Sequence, residues 1–252
     1  MKANYHTHTP RCHHAVGSER EYIERAIEEG FEILGFSDHT PWPFKSNIRM
    51  SMDQVGEYTD TLVKLREEYK DRIKIYIGYE VEYFPKYFDE LIKELKKYPL
   101  DYIIQGQHFV PDELTGFYTG AVTRDITKLK AYADLVVEGM KTGLFSYVAH
   151  PDLMNFVGDE EIYRHHMAKI IETAVDMDIP LEVNMYGFDD GRHYPSDRFF
   201  SFAKEFNPRF VLGCDAHKPM MIRQPEHAEG LVDFLRENGI EYGDNTIKLR
   251  RV

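Results

Sequence analysis

The stretch Tyr5-His6-Thr7-His8-Thr9-Pro10-Arg11-Cys12-His13-His14 places four histidines within nine residues near the start of the chain. In an extended strand alternate side chains point the same way, so His6 and His8 project together and two imidazoles can reach one metal ion. A tag would be a homopolymeric run, whereas these histidines alternate with Thr and lead into Pro and Cys. Neutral imidazole is the commonest nitrogen ligand for transition metals, so the stretch reads as a strand that ends in metal ligands.

The same pattern, an apolar strand ending in a polar cluster, recurs along the chain. Ser18-Glu19-Arg20-Glu21 is a capping box that opens a helix carrying Ile23, Ala26 and Ile27 and stopping at Gly30. Phe31 to Ser37 is a second strand ending in Asp38-His39-Thr40-Pro41. A helix over Met52 to Asp71 leads to a third strand, Ile73 to Gly78, ending in Tyr79-Glu80-Val81-Glu82. A helix over Phe84 to Tyr98 precedes Leu100 to Ile104, which ends in Gln105-Gly106-Gln107-His108, and a longer loop runs through Gly120. The helix Asp125 to Thr142 precedes Phe145 to Ala149, which runs into His150-Pro151-Asp152. The helix Asp159 to Met177 precedes Ile179 to Asn184, and the loop Gly187 to Arg192 crosses to a helix starting near Pro195. Phe210 to Gly213 then ends in Cys214-Asp215-Ala216-His217. A last helix covers Glu226 to Glu237, and the tail Ile240 to Val252 carries no readable role.

Strands alternating with helices imply a parallel sheet with right-handed crossovers, and about seven such units nearly close a barrel. An open doubly wound sheet is the alternative. Polar, ligand-type residues end six of the strands and Asn184 ends the remaining one. In a closed barrel all of those ends converge on one face, which favours the α/β barrel as the expected fold.

A chain of 252 residues without linker, repeat or low-complexity segment is read as one domain, 1–252. No apolar run approaches the roughly 18 residues of a membrane span, and no basic stretch leads into an apolar segment as in a targeting peptide. The expected location is the cytoplasm, where Cys12 and Cys214 stay reduced. Lys plus Arg number 31 against 43 Asp plus Glu, giving −12, which disfavours nucleic acid and anionic membrane as partners. A small charged substrate remains, and the oligomeric state is left open.

Collected by strand end, the metal-type residues are His6, His8 and His14, then His39, Glu80, His108 and His150, and finally Asp215 with His217. They include seven of the twelve histidines. His13 stands beside His14, and spacing does not choose between them. Nine nitrogen and oxygen ligands exceed one ion's need, because a mononuclear catalytic site uses about three protein ligands plus water. Two or three divalent ions are expected, Mn, Zn or Fe. Nucleophilic cysteine is the competing chemistry, with Cys214 beside Asp215 and Cys12 between Arg11 and His13. The chain has neither a phosphate-cradling Gly-rich loop nor a Gly-x-Ser-x-Gly elbow, so attack by a metal-activated water on a phosphoester fits better.

His6-x-His8, Ser37-Asp38-His39, Gly78-x-Glu80, His108, His150-Pro151 and Asp215-Ala216-His217 occur in an order that resembles the polymerase and histidinol phosphatase (PHP) superfamily over nearly the whole chain. Within it, Thr9-Pro10-x-Cys12-x-His14, Gly78-x-Glu80-Val81-Glu82-Tyr83 and Asp215-Ala216-His217-Lys218-Pro219 are similar to the monofunctional histidinol-phosphatase branch. The resemblance implies a distorted (β/α)7 barrel, a trinuclear metal site and hydrolysis of L-histidinol phosphate. It implies that His6, His8, Glu80 and Asp215 hold one ion and that Glu80 bridges to a second on His108 and His150. His14, rather than His13, joins His39 and His217 on the third. Asp38 is expected beside the ligands, either orienting one or handling the leaving-group proton. No basic residue follows closely on His150, so Arg192 is the expected phosphate contact, with Glu82, Asp152 and Asp189 as carboxylates for the substrate's cationic end. The other readings are a different phosphoester (a nucleotide, a nucleic-acid end or a phosphotyrosyl peptide) and a metal-binding regulatory module without turnover.

Overall fold

The computed structural model describes residues 1–252. Its strands are β1 (Ala3–Asn4), β2 (Ile33–His39), β3 (Lys74–Val81), β4 (Tyr102–Gln105), β5 (Phe109–Val110), β6 (Phe117–Tyr118), β7 (Phe145–Val148), β8 (Leu181–Asn184) and β9 (Phe210–Gly213). The helices are α1 (Glu19–Glu28), α2 (Val55–Tyr69), α3 (Phe88–Leu95), α4 (Ile126–Lys141), α5 (Glu160–Asp176), α6 (Met185–Asp189), α7 (Asp197–Ala203) and α8 (Leu231–Glu237). Seven strands form one sheet in the order β1-β2-β3-β4-β7-β8-β9, with parallel neighbours throughout. Spatial order therefore follows chain order. A doubly wound sheet would reverse direction at a switch point; a sheet that never reverses curls toward closure.

Two devices bring the sheet's edges together. At the carboxyl end Thr7 bridges to Ala216, with the His8 N–H donating to the Ala216 carbonyl at 3.0 Å. At the opposite end the tail acts as a seam. Asn245 donates to the carbonyls of Ala3 (2.9 Å) and Leu212 (2.8 Å) and accepts from the Leu212 N–H (2.8 Å), joining β1 to β9. Ile247 and Leu249 then pack on the inner cluster of Ala3, Tyr5, Tyr102, Ile104, Tyr147, Ala149 and Val211. The two-residue strand period separates that cluster from the outer core: Tyr102 and Ile104 face inward, while Ile103 meets the helix layer. The same alternation on β3 turns Ile75, Ile77, Tyr79 and Val81 outward and leaves Glu80 inside.

Helix α1 starts where the capping box placed it, with the Ser18 N–H donating to Glu21 at 2.6 Å. Four segments differ from the sequence reading, among them the last helix, which starts at Leu231 after Gly230 at φ 81° and not at Glu226, where there is only a 3-10 turn over Pro225–His227. Regular strand stops at Asn4, because the Asn4 side chain donates to Thr7 Oγ1 (2.8 Å) and the His6 carbonyl (3.2 Å) and interrupts the ladder. The loop before Gly120 contains the β5–β6 hairpin, whose strands of two residues each are too short to carry a period. The loop after β8 begins with the single-turn helix α6, capped by Asn184, which accepts from the Gly187 N–H at 2.8 Å.

Asn245 is buried and sits at φ 62°, a conformation Asn tolerates better than most residues. Asn245→Ala is expected to destabilise the protein by about 2–4 kcal/mol in urea titration, since it strands buried groups on two strands. A loss under about 0.5 kcal/mol would show that the tail does not hold the seam.

Candidate metal centre

The carboxyl ends of the seven strands open on one face, and the nine ligand-type side chains meet there. Glu80 is central. Its Oε2 lies 3.0 Å from His39 Nδ1, 3.5 Å from His6 Nε2 and 3.6 Å from His8 Nε2. Its Oε1 lies 2.7 Å from His150 Nε2 and 3.5 Å from His108 Nε2. A Cβ on Gly106 would come within 1.8 Å of Glu80 Oε1, so only glycine leaves room for that carboxylate. Asp215 Oδ1 approaches His8 Nε2 (3.0 Å) and His6 Nε2 (3.4 Å). The His14 ring stands 4.7 Å from that of His217 and 5.4 Å from that of His39. His150 and Asp215 adopt φ of 29° and 48°, which non-glycine residues adopt only when their surroundings impose it. His13 is exposed and outside the cluster.

Acceptors stand near Nδ1 of five of the seven imidazoles, while His39 turns Nδ1 toward Glu80 and His150 Nδ1 has no partner. His6 Nδ1 meets Glu182 at 2.7 Å, His14 Nδ1 the Cys12 carbonyl at 2.6 Å, and His217 Nδ1 the Asp215 carbonyl at 2.9 Å. Asp38 Oδ1 lies 3.5 Å from His8 Nδ1, and Glu82 Oε1 lies 3.5 Å from His108 Nδ1. In each case Nε2 is left toward the centre, the usual arrangement around metal-ligating histidine. The Nε2 atoms of His6, His8 and His217 are buried without a hydrogen-bond partner. Buried polar atoms are seldom left unsatisfied, and cations bound at the centre would satisfy them. An all-nitrogen-and-oxygen set of imidazoles and carboxylates suits Zn, Mn or Fe.

The charges interlock. Although burial raises a carboxyl pKa, His108, His39 and His6 hold Glu80 well below the usual range, and His6 with His8 does the same for Asp215. Burial lowers the His8 imidazole, but Asp215, Asp38 and Glu80 outweigh it and push it up to about 9. His217 is lowered to about 3, by burial and then by His8. Both thiols are buried, which raises Cys12 and Cys214 to about 12 each and removes the thiolate that cysteine chemistry needs.

A cavity of about 330 Å³ opens over the centre. His14, His39, Glu80, His108, Asp215 and His217 form its floor, and Ile48, Phe109, Tyr118, Tyr186, Arg192 and Tyr194 its walls. Arg192 is held on three sides, by Tyr186 Oη (2.8 Å), Tyr194 Oη (3.0 Å) and Asp190 (2.9 Å).

The carboxylates expected to meet substrate lie elsewhere. Glu82 is buried against Arg49 Nη2 (2.8 Å) and Trp42 Nε1 (3.3 Å), neutralised from behind while it faces His108. Asp152 is buried and accepts from the Ser196 N–H (2.8 Å) and hydroxyl (2.9 Å), and burial raises it to about 6. Asp189 is ion-paired with Arg223. None of the three lines the cavity. Asp38 does not line it either: its oxygens take the Thr9 N–H and hydroxyl and the His39 N–H, and its Oδ1 lies 3.5 Å from His8 Nδ1. Sequence reasoning passed over Glu182, whose only signal was parity: it shares the inward face of β8 with Asn184.

A parallel barrel with an imidazole and carboxylate cluster at its carboxyl face defines a metal-dependent hydrolase class. The family model of the PHP domain matches residues 4–185, and the chain belongs to that family. It is 33% identical to a probable histidinol-phosphatase of Schizosaccharomyces pombe, over 88% of this chain and 82% of that one. It is 29% identical to a probable histidinol-phosphatase of Deinococcus radiodurans, over 85% of each. Among solved structures, histidinol phosphate phosphatase from Lactococcus lactis, complexed with zinc, L-histidinol and phosphate, superposes with a TM-score of 0.72. The two are 20% identical, and 98% of each chain is covered. No helix of the chain is long and apolar enough to cross a membrane.

Proposed function

We propose that the whole chain is one catalytic unit that hydrolyses L-histidinol phosphate to L-histidinol and phosphate, using two to three divalent transition ions. One observation carries this reading: six of the nine ligand-type residues floor a cavity whose wall holds a fixed guanidinium. The substrate assignment draws on the relatives named above, and a cytoplasmic location accords with a small metabolite as substrate. His6, His8, Glu80 and Asp215 would hold one ion, Glu80 with His108 and His150 a second, and His14, His39 and His217 a third. Bound ions of this kind polarise phosphoryl oxygens and lower the pKa of a coordinated water toward neutrality.

The chain's own residues supply the rest. Arg192, its planar fork steadied by two tyrosine hydroxyls, offers N–H donors to non-bridging phosphate oxygens above the floor. Because Glu82, Asp152 and Asp189 are engaged elsewhere, the substrate's cationic end meets aromatic faces instead, those of Phe109, Tyr118 and Tyr194. A cation over such a ring gains about 0.5–2 kcal/mol depending on desolvation. Asp38 Oδ1, 3.5 Å from His8 Nδ1, is placed to favour the tautomer that leaves Nε2 for a ligand's role, though the two groups are not hydrogen-bonded.

With Mn²⁺ or Zn²⁺ added, kcat/KM for L-histidinol phosphate is expected to exceed that for phosphotyrosine and nucleoside monophosphates, and chelation should abolish turnover. A preference for either competitor would replace the substrate, and full activity of metal-free protein in chelator would remove the metals from the reaction. Arg192→Ala is expected to lower kcat by about ten to a thousandfold with the metals retained. A rise in KM alone would limit Arg192 to binding, and an unchanged kcat/KM would make it a solvated loop residue.

A further inference from the structure

Glu182 is fully buried and hydrogen-bonded through both oxygens. Its Oε1 faces His6 Nδ1 at 2.7 Å. Its Oε2 accepts from the backbone N–H of His150 and from Asn184 Nδ2, both at 2.9 Å. Asn184 cannot be turned the other way, because its Oδ1 accepts the Gly187 N–H at 2.8 Å, and its amide nitrogen also donates to Asp215 Oδ2 at 3.1 Å. A Cβ on Gly213 would fall 1.8 Å from Glu182 Oε1, so the neighbouring strand is shaped around this carboxylate. Glu182 thus touches three ligand-type residues: His6 through its ring, His150 through its backbone at φ 29°, and Asp215 through Asn184.

We propose that Glu182 is a positioning residue that fixes the His6 tautomer and, with Asn184, presets His6, His150 and Asp215 for one end of the metal centre. The inference rests on the metal-centre reading above. Only an acceptor at the Oε1 position places the His6 proton on Nδ1 and leaves Nε2 unprotonated toward Glu80 and Asp215. The isosteric amide cannot do this. With its oxygen toward the His150 and Asn184 donors, its NH2 donates to His6 Nδ1 and forces the proton onto Nε2, where it blocks coordination. Flipped, its NH2 confronts two donors in a buried site.

Equilibrium titration of the full-length protein with Zn²⁺ against a competing chelator separates the outcomes. Wild type is expected to bind two to three ions, and Glu182→Gln to bind one of them about 10–100-fold more weakly, with an unchanged far-ultraviolet spectrum. Equal affinity and stoichiometry in the variant would overturn the role of Glu182 alone. Failure of wild type to bind at all would overturn the metal reading instead. A second measurement needs no variant: in zinc-loaded wild type, nitrogen-15 spectra of the imidazoles should find His6 bound through Nε2 with its proton on Nδ1, and coordination through Nδ1 or an unprotonated Nδ1 would overturn the proposal even if Glu182→Gln does not fold.

Discussion

The structure depends on one carboxylate placed among imidazoles. Glu80 has five histidine rings within 3.6 Å of its two oxygens, drawn from β1's extension, β2 and the loops after β4 and β7. An isolated carboxylate at that depth would be protonated, and five isolated imidazoles would not stay charged. Together they form a site whose charge balance and unsatisfied nitrogens are resolved by cations. Barrel closure is what makes such a site possible, because only then do the ends of distant strands lie within a few ångströms of each other.

Support for that site extends outward in layers of alternating charge. Glu82 stands behind His108, and the buried Arg49 stands behind Glu82, shared at 2.6 Å with Glu113 of the turn between β5 and β6. The hairpin that supplies Phe109 and Tyr118 to the cavity wall is thereby tied to the shell around a candidate ligand. Glu182 and Asn184 do the corresponding work on the opposite side. The cavity wall is then mostly aromatic, with Arg192 as its fixed cation. The carboxylates that composition made conspicuous are consumed in holding the imidazoles or the fold.

Much of this was legible in the sequence, and the limits have physical causes. Strands β2, β3, β4, β7, β8 and β9 announced themselves by an apolar run and a polar terminus, so the crossover order and the nine ligand-type residues could be placed by position along the chain. What periodicity cannot convey is which buried acid faces which base. Glu82, Asp152 and Asp189 sit on suitable loops, yet Arg49, Ser196 and Arg223 claim them through contacts distant in sequence. Glu182 was overlooked for the converse reason, since a single acid in a short apolar strand looks like an edge residue until closure buries it. The seam role of Asn245 depends on a tail returning across the whole chain to β1, which no local pattern records.

The central claim is that the imidazole and carboxylate cluster around Glu80 is a multinuclear metal centre. Anomalous diffraction from crystals of the protein loaded with Mn²⁺ or Zn²⁺ tests it most directly. The account predicts two or three anomalous peaks at the carboxyl face of the barrel, with Glu80 ligating two of them and Asp215 bound to one. An absence of peaks there at saturating metal, or a single ion that leaves Glu80 uncoordinated, would contradict it.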